Sequence, residues 1–204
     1  TALFDKPAFK NVIVNGLILA ADGQKMSKRK KNYTPPEKLI DEFGSDSVRF
    51  YMLGSPVVDG QNLRFTDQDV KETTRALLLP VWNAYRFFSE YANADNYKAQ
   101  ALRSKPDHAL DRFILSEVNI CIKNVSTAMD RYELITATRY LTDLIDSLNN
   151  WYIRRSRRRF WKTENDTDKL QAFDTLYEVL KKFSLILAPF LPFLSERIYR
   201  GLTA

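Results

Sequence analysis

Apolar and polar positions divide this chain into two unlike regions, a short extended run followed by helical periodicity that lasts almost to the end. Between Asn11 and Ala20, Val12, Ile13 and Val14 and then Leu17, Ile18 and Leu19 form an apolar run broken by Gly16, which predicts a buried strand or hairpin edge. Asp22-Gly23 marks a turn, and a basic window follows as a loop. Thr34-Pro35-Pro36-Glu37 then predicts a helix start, with Thr34 as cap, Pro35 in the first helical position and Glu37 completing a capping box. Leu39, Ile40 and Phe43 supply that helix's buried face, and Gly44 suits a left-handed C-terminal cap. Ser45 restarts a helix that ends at Gly54-Ser55-Pro56, and Val57 to Phe65 reads as irregular.

From Thr66, with Asp69 three residues on, the pattern becomes helical. A long helix is expected over residues 67–91, kinked or broken near Pro80, and residues 92–106 have the composition of a linker. A helix over residues 107–129 follows. The clearest periodicity runs over residues 132–160, where Leu134, Ala137, Leu141, Leu144, Leu148 and Trp151 recur at steps of three and four, a stripe that belongs in a bundle. A polar loop at Thr163 to Thr167 leads to a helix over residues 168–187, Pro189 and Pro192 punctuate, and a last helix begins near Leu194. The fold class is therefore mainly α: a helical bundle over residues 61–204, preceded by a small α/β remnant over residues 1–60.

Composition narrows the function classes. The longest apolar stretch, Leu185 to Leu194, holds ten residues and two prolines, short of the roughly 20 that a membrane span needs. The first residues lack a signal-peptide core and the chain opens without methionine, so both ends read as cut from something longer, and the cytoplasm is the expected compartment. A single cysteine, Cys121, excludes an internal disulfide and a cysteine zinc cluster, and no metal site is expected in this stretch. The one histidine, His108, stands at the start of a helical pattern without the neighbours of a catalytic triad and is expected on a helix surface. Formal charge is +6, but its placement says more: residues 25–31 and 154–162 hold 11 of the 31 Lys and Arg with no acid among them, leaving 20 basic residues against 25 acidic ones. A chain that is acidic except at two concentrated basic spots points to a localised polyanionic partner.

The first spot, Lys25-Met26-Ser27-Lys28-Arg29, lies between the turn and the capped helix. Two lysines three residues apart on a loop can follow a triphosphate as charge moves onto leaving pyrophosphate, stabilising the transition state more than the ground state. On charge alone a solvated loop or a nuclear-import patch explains the same residues. The second spot, Asn150-Trp151-Tyr152-Ile153-Arg154-Arg155-Ser156-Arg157-Arg158-Arg159-Phe160-Trp161, interleaves guanidinium and aromatic groups near a helix end. Arginines pair bidentately with phosphates and exposed aromatics stack on unpaired bases, so RNA is the natural partner. Trp151, Tyr152 and Phe160 also fit a bundle core, and arginines suit a helix C-terminus for its dipole alone.

Lys-Met-Ser-Lys, preceded by Gly23-Gln24, followed by Asn32 and by Phe43-Gly44-Ser45-Asp46-Ser47-Val48-Arg49-Phe50-Tyr51, resembles the second signature of class I aminoacyl-tRNA synthetases in its frame. The Arg-rich run is similar to that of isoleucyl-tRNA synthetases. So are Ser55-Pro56-Val57-Val58, Asn62-Leu63-Arg64-Phe65, residues 82–88 and 111–116, and Leu187-Ala188-Pro189-Phe190-Leu191-Pro192-Phe193, so the resemblance covers nearly the whole chain. It implies that Lys28 contacts ATP phosphates with help from Lys25, while Met26, Ser27 and Arg29 complete the ATP-binding loop. Arg29 stands where the family most often has serine, which leaves Lys28 untouched. In related enzymes the first bundle helix and the loop after the third line the anticodon pocket. The resemblance thus names Asn83, Arg86, Arg158 and Trp161 as tRNA-binding candidates alongside Arg154, Arg155, Arg157 and Arg159.

The resemblance implies a parent enzyme that activates isoleucine with ATP, accompanied by Mg2+, and passes it to tRNA(Ile). Three other readings remain: the same region of a valyl or leucyl enzyme, a non-catalytic RNA-binding module, and a purely structural bundle. The other signature, of the His-Ile-Gly-His type, and the amino-acid pocket are not within residues 1–204, as the lone histidine requires. This chain by itself is therefore expected to give no isoleucine-dependent exchange of labelled pyrophosphate into ATP, and measurable exchange above a no-enzyme blank contradicts that expectation.

Overall fold

The structure is a computed structural model, and it describes residues 3–99, 106–163 and 166–203. Part of the tract expected as a linker before Pro106 and part of the loop at Thr163 to Thr167 lie outside the described residues.

The N-terminal region departs most from its sequence pattern. Among the described residues only β1 (Ile18–Leu19) of the apolar run is a strand, paired in parallel with β2 (Leu63–Arg64) through Ile18 opposite Leu63 and Leu19 opposite Arg64. Val12, Ile13, Val14 and Leu17 are all at least 60% exposed, so the expected buried strand is corrected to an exposed segment. Parallel pairing needs flanking strands and covering helices to bury such a run, and the two-residue ladder with β2 supplies neither. The stretch from Val57 to Phe65, expected to be irregular, contains a 3-10 turn (Pro56–Asp59) and then β2 itself.

Helix α1 (Pro36–Phe43) starts one residue later than the sequence suggested: Pro35 is the cap residue, Pro36 takes the first helical position, and no side chain caps the start. The Thr34 hydroxyl instead donates to the Asp67 carboxylate at 2.6 Å. Leu39 is buried, whereas Ile40 is exposed. Gly44 has positive φ (80°), but with ψ at 151° it lies outside the left-handed helical region expected of it. From there α2 (Ser45–Leu53) follows directly.

Thr66 caps α3 (Asp67–Thr73) by accepting from the Asp69 amide. A π turn (Thr74–Leu78) joins it to α4 (Leu79–Ala94). The wide turn immediately precedes Pro80, whose ring and missing N–H oppose a regular α-helical turn, so the helix swells rather than breaks. The bundle continues with α5 (Ala109–Asp130), capped by the His108 imidazole accepting from the Leu110 amide at 3.2 Å. Then come α6 (Leu134–Asp146), a second π turn (Ser147–Ile153) and α7 (Arg154–Trp161), continuous as one long helix. Helices α8 (Thr167–Leu187) and α9 (Pro192–Thr203) complete it, α9 beginning at Pro192 rather than near Leu194.

The core follows the three-and-four spacing. Ala137, Leu141, Leu144 and Leu148 of the long helix are buried against Ile114, Val118, Cys121 and Val125 of α5 and Leu176, Leu180 and Phe183 of α8. Trp151 leaves the stripe and is 49% exposed, while Tyr152 is fully buried. The second π turn is the reason: with more residues per turn, the position four after Leu148 holds the inward face and the position three after it rotates out. Phe160 meets the rings of Phe87 and Phe173 edge-on at 5.2 and 5.0 Å, fastening α7 to α4 and α8.

A buried charge cluster sets the rotation of α7. Arg159 donates from both terminal nitrogens to Asp111 (2.6 and 2.8 Å) and from Nε to Asp168 (2.9 Å), with Asp111 fully buried and Arg159 7% exposed. The buried Tyr152 hydroxyl donates to the same Asp111 oxygen at 2.9 Å. Burial alone would lower the guanidinium's pKa, but the hydrogen bonds and charge of Asp111 outweigh it and raise it above its ordinary value. Burial likewise pushes the Asp168 carboxyl up, yet Arg159 and Lys162 together hold it below the usual range. Tyr152 is pushed well up, first by burial and then by Asp111.

The small N-terminal unit is tied to the bundle by polar groups. The buried Asp46 of α2 accepts from the amides of Leu194 (2.8 Å) and Phe193 (3.4 Å), capping α9 from a distant part of the chain. Arg49 donates to the Pro189 carbonyl, Thr74 to the Ser47 hydroxyl, and the Tyr51 hydroxyl to Asp69.

Removing one partner of a buried pair strands the other. Arg159→Ala or Asp111→Ala is therefore expected to lower unfolding free energy by about 3–5 kcal/mol, read from urea midpoints at constant slope. Because the Asp168 carboxyl lies below its unfolded value, the stability it contributes is present at neutral pH and is lost as pH falls below about 4. Asp168→Asn should flatten that acid limb, and an unchanged limb contradicts the assignment.

Candidate functional site

The structure gives each basic spot its own geometry. At the first, the chain leaves β1, turns at Ala20–Gln24 and returns so that the Lys25 backbone bridges to Leu19 in antiparallel sense. The turn is closed by the Gly23 amide donating to the Ala20 carbonyl (2.8 Å), the Ala20 amide to the Gln24 carbonyl (2.9 Å) and the Gln24 amide to the Asp22 carboxylate (2.9 Å). Gly23 sits at φ 79°, and a Cβ there would come within 3.3 Å of the Arg64 side chain on β2, so both conformation and space favour glycine.

Beyond Lys25 the loop makes one compact turn. The Lys31 amide donates to the Ser27 carbonyl at 3.0 Å, and Lys31 itself has φ 50°. Lys28, Arg29 and Lys30 occupy the exposed tip, with Met26 and Ser27 half-buried beneath. The Lys30 ammonium donates to the Gln24 side chain at 2.7 Å, while Lys25, Lys28 and Arg29 project into solvent. Asn32 closes the turn: its side-chain oxygen accepts from the Ser27 amide (2.9 Å) and its nitrogen donates to the Lys25 carbonyl (3.3 Å). Sequence reasoning used Asn32 only as a flank of the motif and did not see that clasp.

At the second spot, α7 presents two exposed stripes and a buried one. Arg154, Arg157 and Trp161 recur at steps of three and four, Arg155 and Arg158 make the adjoining stripe, and Ser156, Arg159 and Phe160 face inward. Arg159 thus departs from the expectation that all five arginines face a ligand. Its fork is taken up by Asp111 and Asp168, because the bundle has a buried carboxylate at that level.

The first stripe faces α4 across a groove. A hollow of about 490 Å³ is lined by Pro80 and Asn83 on one wall and Asp146, Asn149, Asn150, Arg154 and Arg157 on the other. Asn83 and Arg157 also border a second hollow of about 290 Å³, with Arg86, Phe87, Glu90 and Trp161. Asn83, Arg86, Arg154, Arg157 and Trp161 therefore converge, although nothing in the sequence required it. The two π turns flank the first hollow, and Asn149 bridges it by donating to the Pro80 carbonyl at 3.1 Å. Arg86 pairs with Glu90 at 2.6 Å, an exposed contact that leaves the guanidinium's other edge open. On the neighbouring stripe Arg155 lies over the Trp151 ring, 4.0 Å from its centroid, and Arg158 lines neither hollow.

Chemically, the groove joins exposed guanidinium groups, amide side chains that both donate and accept, and a half-exposed indole (Trp161, 54%). That combination holds a phosphate backbone while reading or stacking splayed bases. Asp146 and Asn149 escaped the sequence reading, and Asn150 entered it only as the first residue of the arginine-rich run. Their signal was the polar interruption at the π turn within an otherwise apolar stripe.

Two stretches of the chain are similar to known families. The family described as tRNA synthetases class I (I, L, M and V) matches residues 1–64, and that described as anticodon-binding domain of tRNA ligase matches residues 111–203. Isoleucine–tRNA ligases from Treponema denticola and Protochlamydia amoebophila are 47% and 49% identical over 98% of this chain. The chain spans about one fifth of their length, 20% and 19%. Two solved structures share the fold. A ternary complex of an Agrobacterium radiobacter LeuRS with tRNA and LeuAMS has a TM-score of 0.67 and 20% identity, covering 93% of this chain and 22% of that one. Mycobacterium tuberculosis methionyl-tRNA synthetase with methionyl-adenylate has a TM-score of 0.73 and 22% identity, covering 89% and 36%.

Proposed function

Because this chain belongs to the class I tRNA synthetases, we propose that it is the segment of an isoleucine–tRNA ligase that carries the ATP-phosphate loop and the tRNA-binding bundle. Residues 1–60 form the end of the catalytic domain in this reading and residues 61–204 the anticodon-binding domain. The whole enzyme works in the cytoplasm on isoleucine, ATP and tRNA(Ile). The convergence of α4 and α7 side chains on one basic groove carries the proposal.

In the activation step the isoleucine carboxylate attacks the α-phosphorus of ATP, a carboxyl–phosphate bond forms, and the α–β phosphoanhydride breaks to release pyrophosphate. The ammonium groups of Lys28 and Lys25, exposed at the loop, sit against the departing phosphates and offset the charge that grows there. Met26 and Ser27 shape the loop beneath, and Arg29 adds charge at the tip. Magnesium is expected to accompany ATP, held mainly by the phosphates and water. In the transfer step the groove and the stripe beside it hold the anticodon end of the tRNA: Arg86, Arg154 and Arg157 in the groove and Arg155 and Arg158 on the adjoining stripe meet phosphates, Asn83 meets base edges, and Trp161 stacks. Arg159 supports them from inside by holding α7 in its rotation.

The test is the affinity of this chain for isoleucine tRNA and a non-cognate tRNA across a salt series. Cognate binding should be tighter. Changing Arg154, Arg155, Arg157 and Arg158 to alanine should weaken it and reduce the salt slope by roughly one for each phosphate no longer neutralised. Weak binding to both tRNAs, unmoved by the substitutions, contradicts the reading.

A further inference from the structure

The signature loop is held in a defined turn, and that turn rests on two residues the motif does not include. Asn32 spans the loop's two ends, accepting from the Ser27 amide at 2.9 Å and donating to the Lys25 carbonyl at 3.3 Å. Between those points the Lys31 amide closes a single turn onto the Ser27 carbonyl at 3.0 Å, and the chain re-enters Asn32 with Lys31 at φ 50°. The ring so formed runs from Lys25 to Asn32 and holds Lys28 at its exposed tip. An unclasped loop of this length would lose backbone freedom at every residue on being ordered around a triphosphate.

We propose that Asn32 is a positioning residue for the activation reaction. Its side chain pre-forms the loop so that Lys28 meets the leaving phosphates without first ordering the backbone, and the left-handed Lys31 is the hinge that makes the clasp possible. The inference rests on the reading of this loop as the ATP-phosphate loop. The hydrogen bonds of the Asn32 side chain go to the loop's own backbone, so its effect on chemistry passes through the placement of Lys28. A misplacement of about 1 Å at a reacting centre costs on the order of 100-fold in rate. The cost should therefore fall on turnover and on ATP, not on isoleucine.

The experiment measures isoleucine-dependent pyrophosphate exchange in the full-length ligase carrying this segment, with thermal midpoints recorded for every variant. Asn32→Ala should lower kcat by about 10- to 100-fold, leave the KM for isoleucine unchanged and leave the midpoint in place. Lys31→Gly and Lys31→Val both remove the same charge but differ in their tolerance of positive φ, so the glycine variant should exceed the valine variant at least tenfold. Equal rates for that pair overturn the proposal, as does an Asn32→Ala enzyme whose loss of rate matches a loss of folded protein. Lys28→Ala separates the clasp from the loop's own role. If it slows exchange while Asn32→Ala does not, the clasp is wrong and the loop reading stands; if Lys28→Ala leaves exchange intact, the loop reading fails and the clasp with it.

Discussion

A single guanidinium holds three helices in relation to one another. Arg159 lies inside the bundle with both terminal nitrogens on Asp111 and Nε on Asp168, so the first turn of α5, the last turn of α7 and the first turn of α8 meet at one charge cluster. Such a pair contributes little net stability compared with apolar packing of the same volume, but it tolerates only one geometry. What it determines here is rotation. With Arg159 and Phe160 turned inward, helical spacing leaves Arg154, Arg157 and Trp161 facing α4 and Arg155 and Arg158 beside them. The basic groove is thus a consequence of one arginine that does not take part in it.

The two π turns act at the same level. Each inserts extra backbone into a long helix, one before Pro80 and one before Arg154, and the two lie together at the groove, where Asn149 reaches the Pro80 carbonyl. Wide turns of this kind occur frequently at functional sites. In this bundle they expose Trp151, bury Tyr152 and bring Asn149 and Asn150 to the groove wall.

Polar ties carry the arrangement toward the signature loop. Thr34, two residues beyond Asn32, is bonded to Asp67 at the head of α3, and α3 runs through the first π turn into α4. On the other side, Asp46 caps α9 and Arg49 holds the Pro189 carbonyl. The loop and the groove therefore stand on one continuous set of elements. Contacts of this type fix relative position.

Much of this was legible in the chain. Local chemistry sufficed for the Thr66 cap, the tandem helices around Gly44, the three-and-four stripe from Ala137 to Leu148 and the two basic windows, because each depends on neighbours a few residues apart. The motifs also carried the family, since Lys25-Met26-Ser27-Lys28 and the arginine run are read as residue order. Tertiary structure decided the rest. Whether Val12 to Val14 are buried depends on neighbouring strands, which spacing cannot reveal. Thr34 prefers Asp67 to its own helix because a partner 33 residues away comes within hydrogen-bond reach. Five arginines are equivalent in sequence, and one becomes structural only when a buried carboxylate from α5 arrives beside it. Sequence order established which chemical groups the chain possesses, while the long-range electrostatics and packing of the fold determined which of them face a ligand.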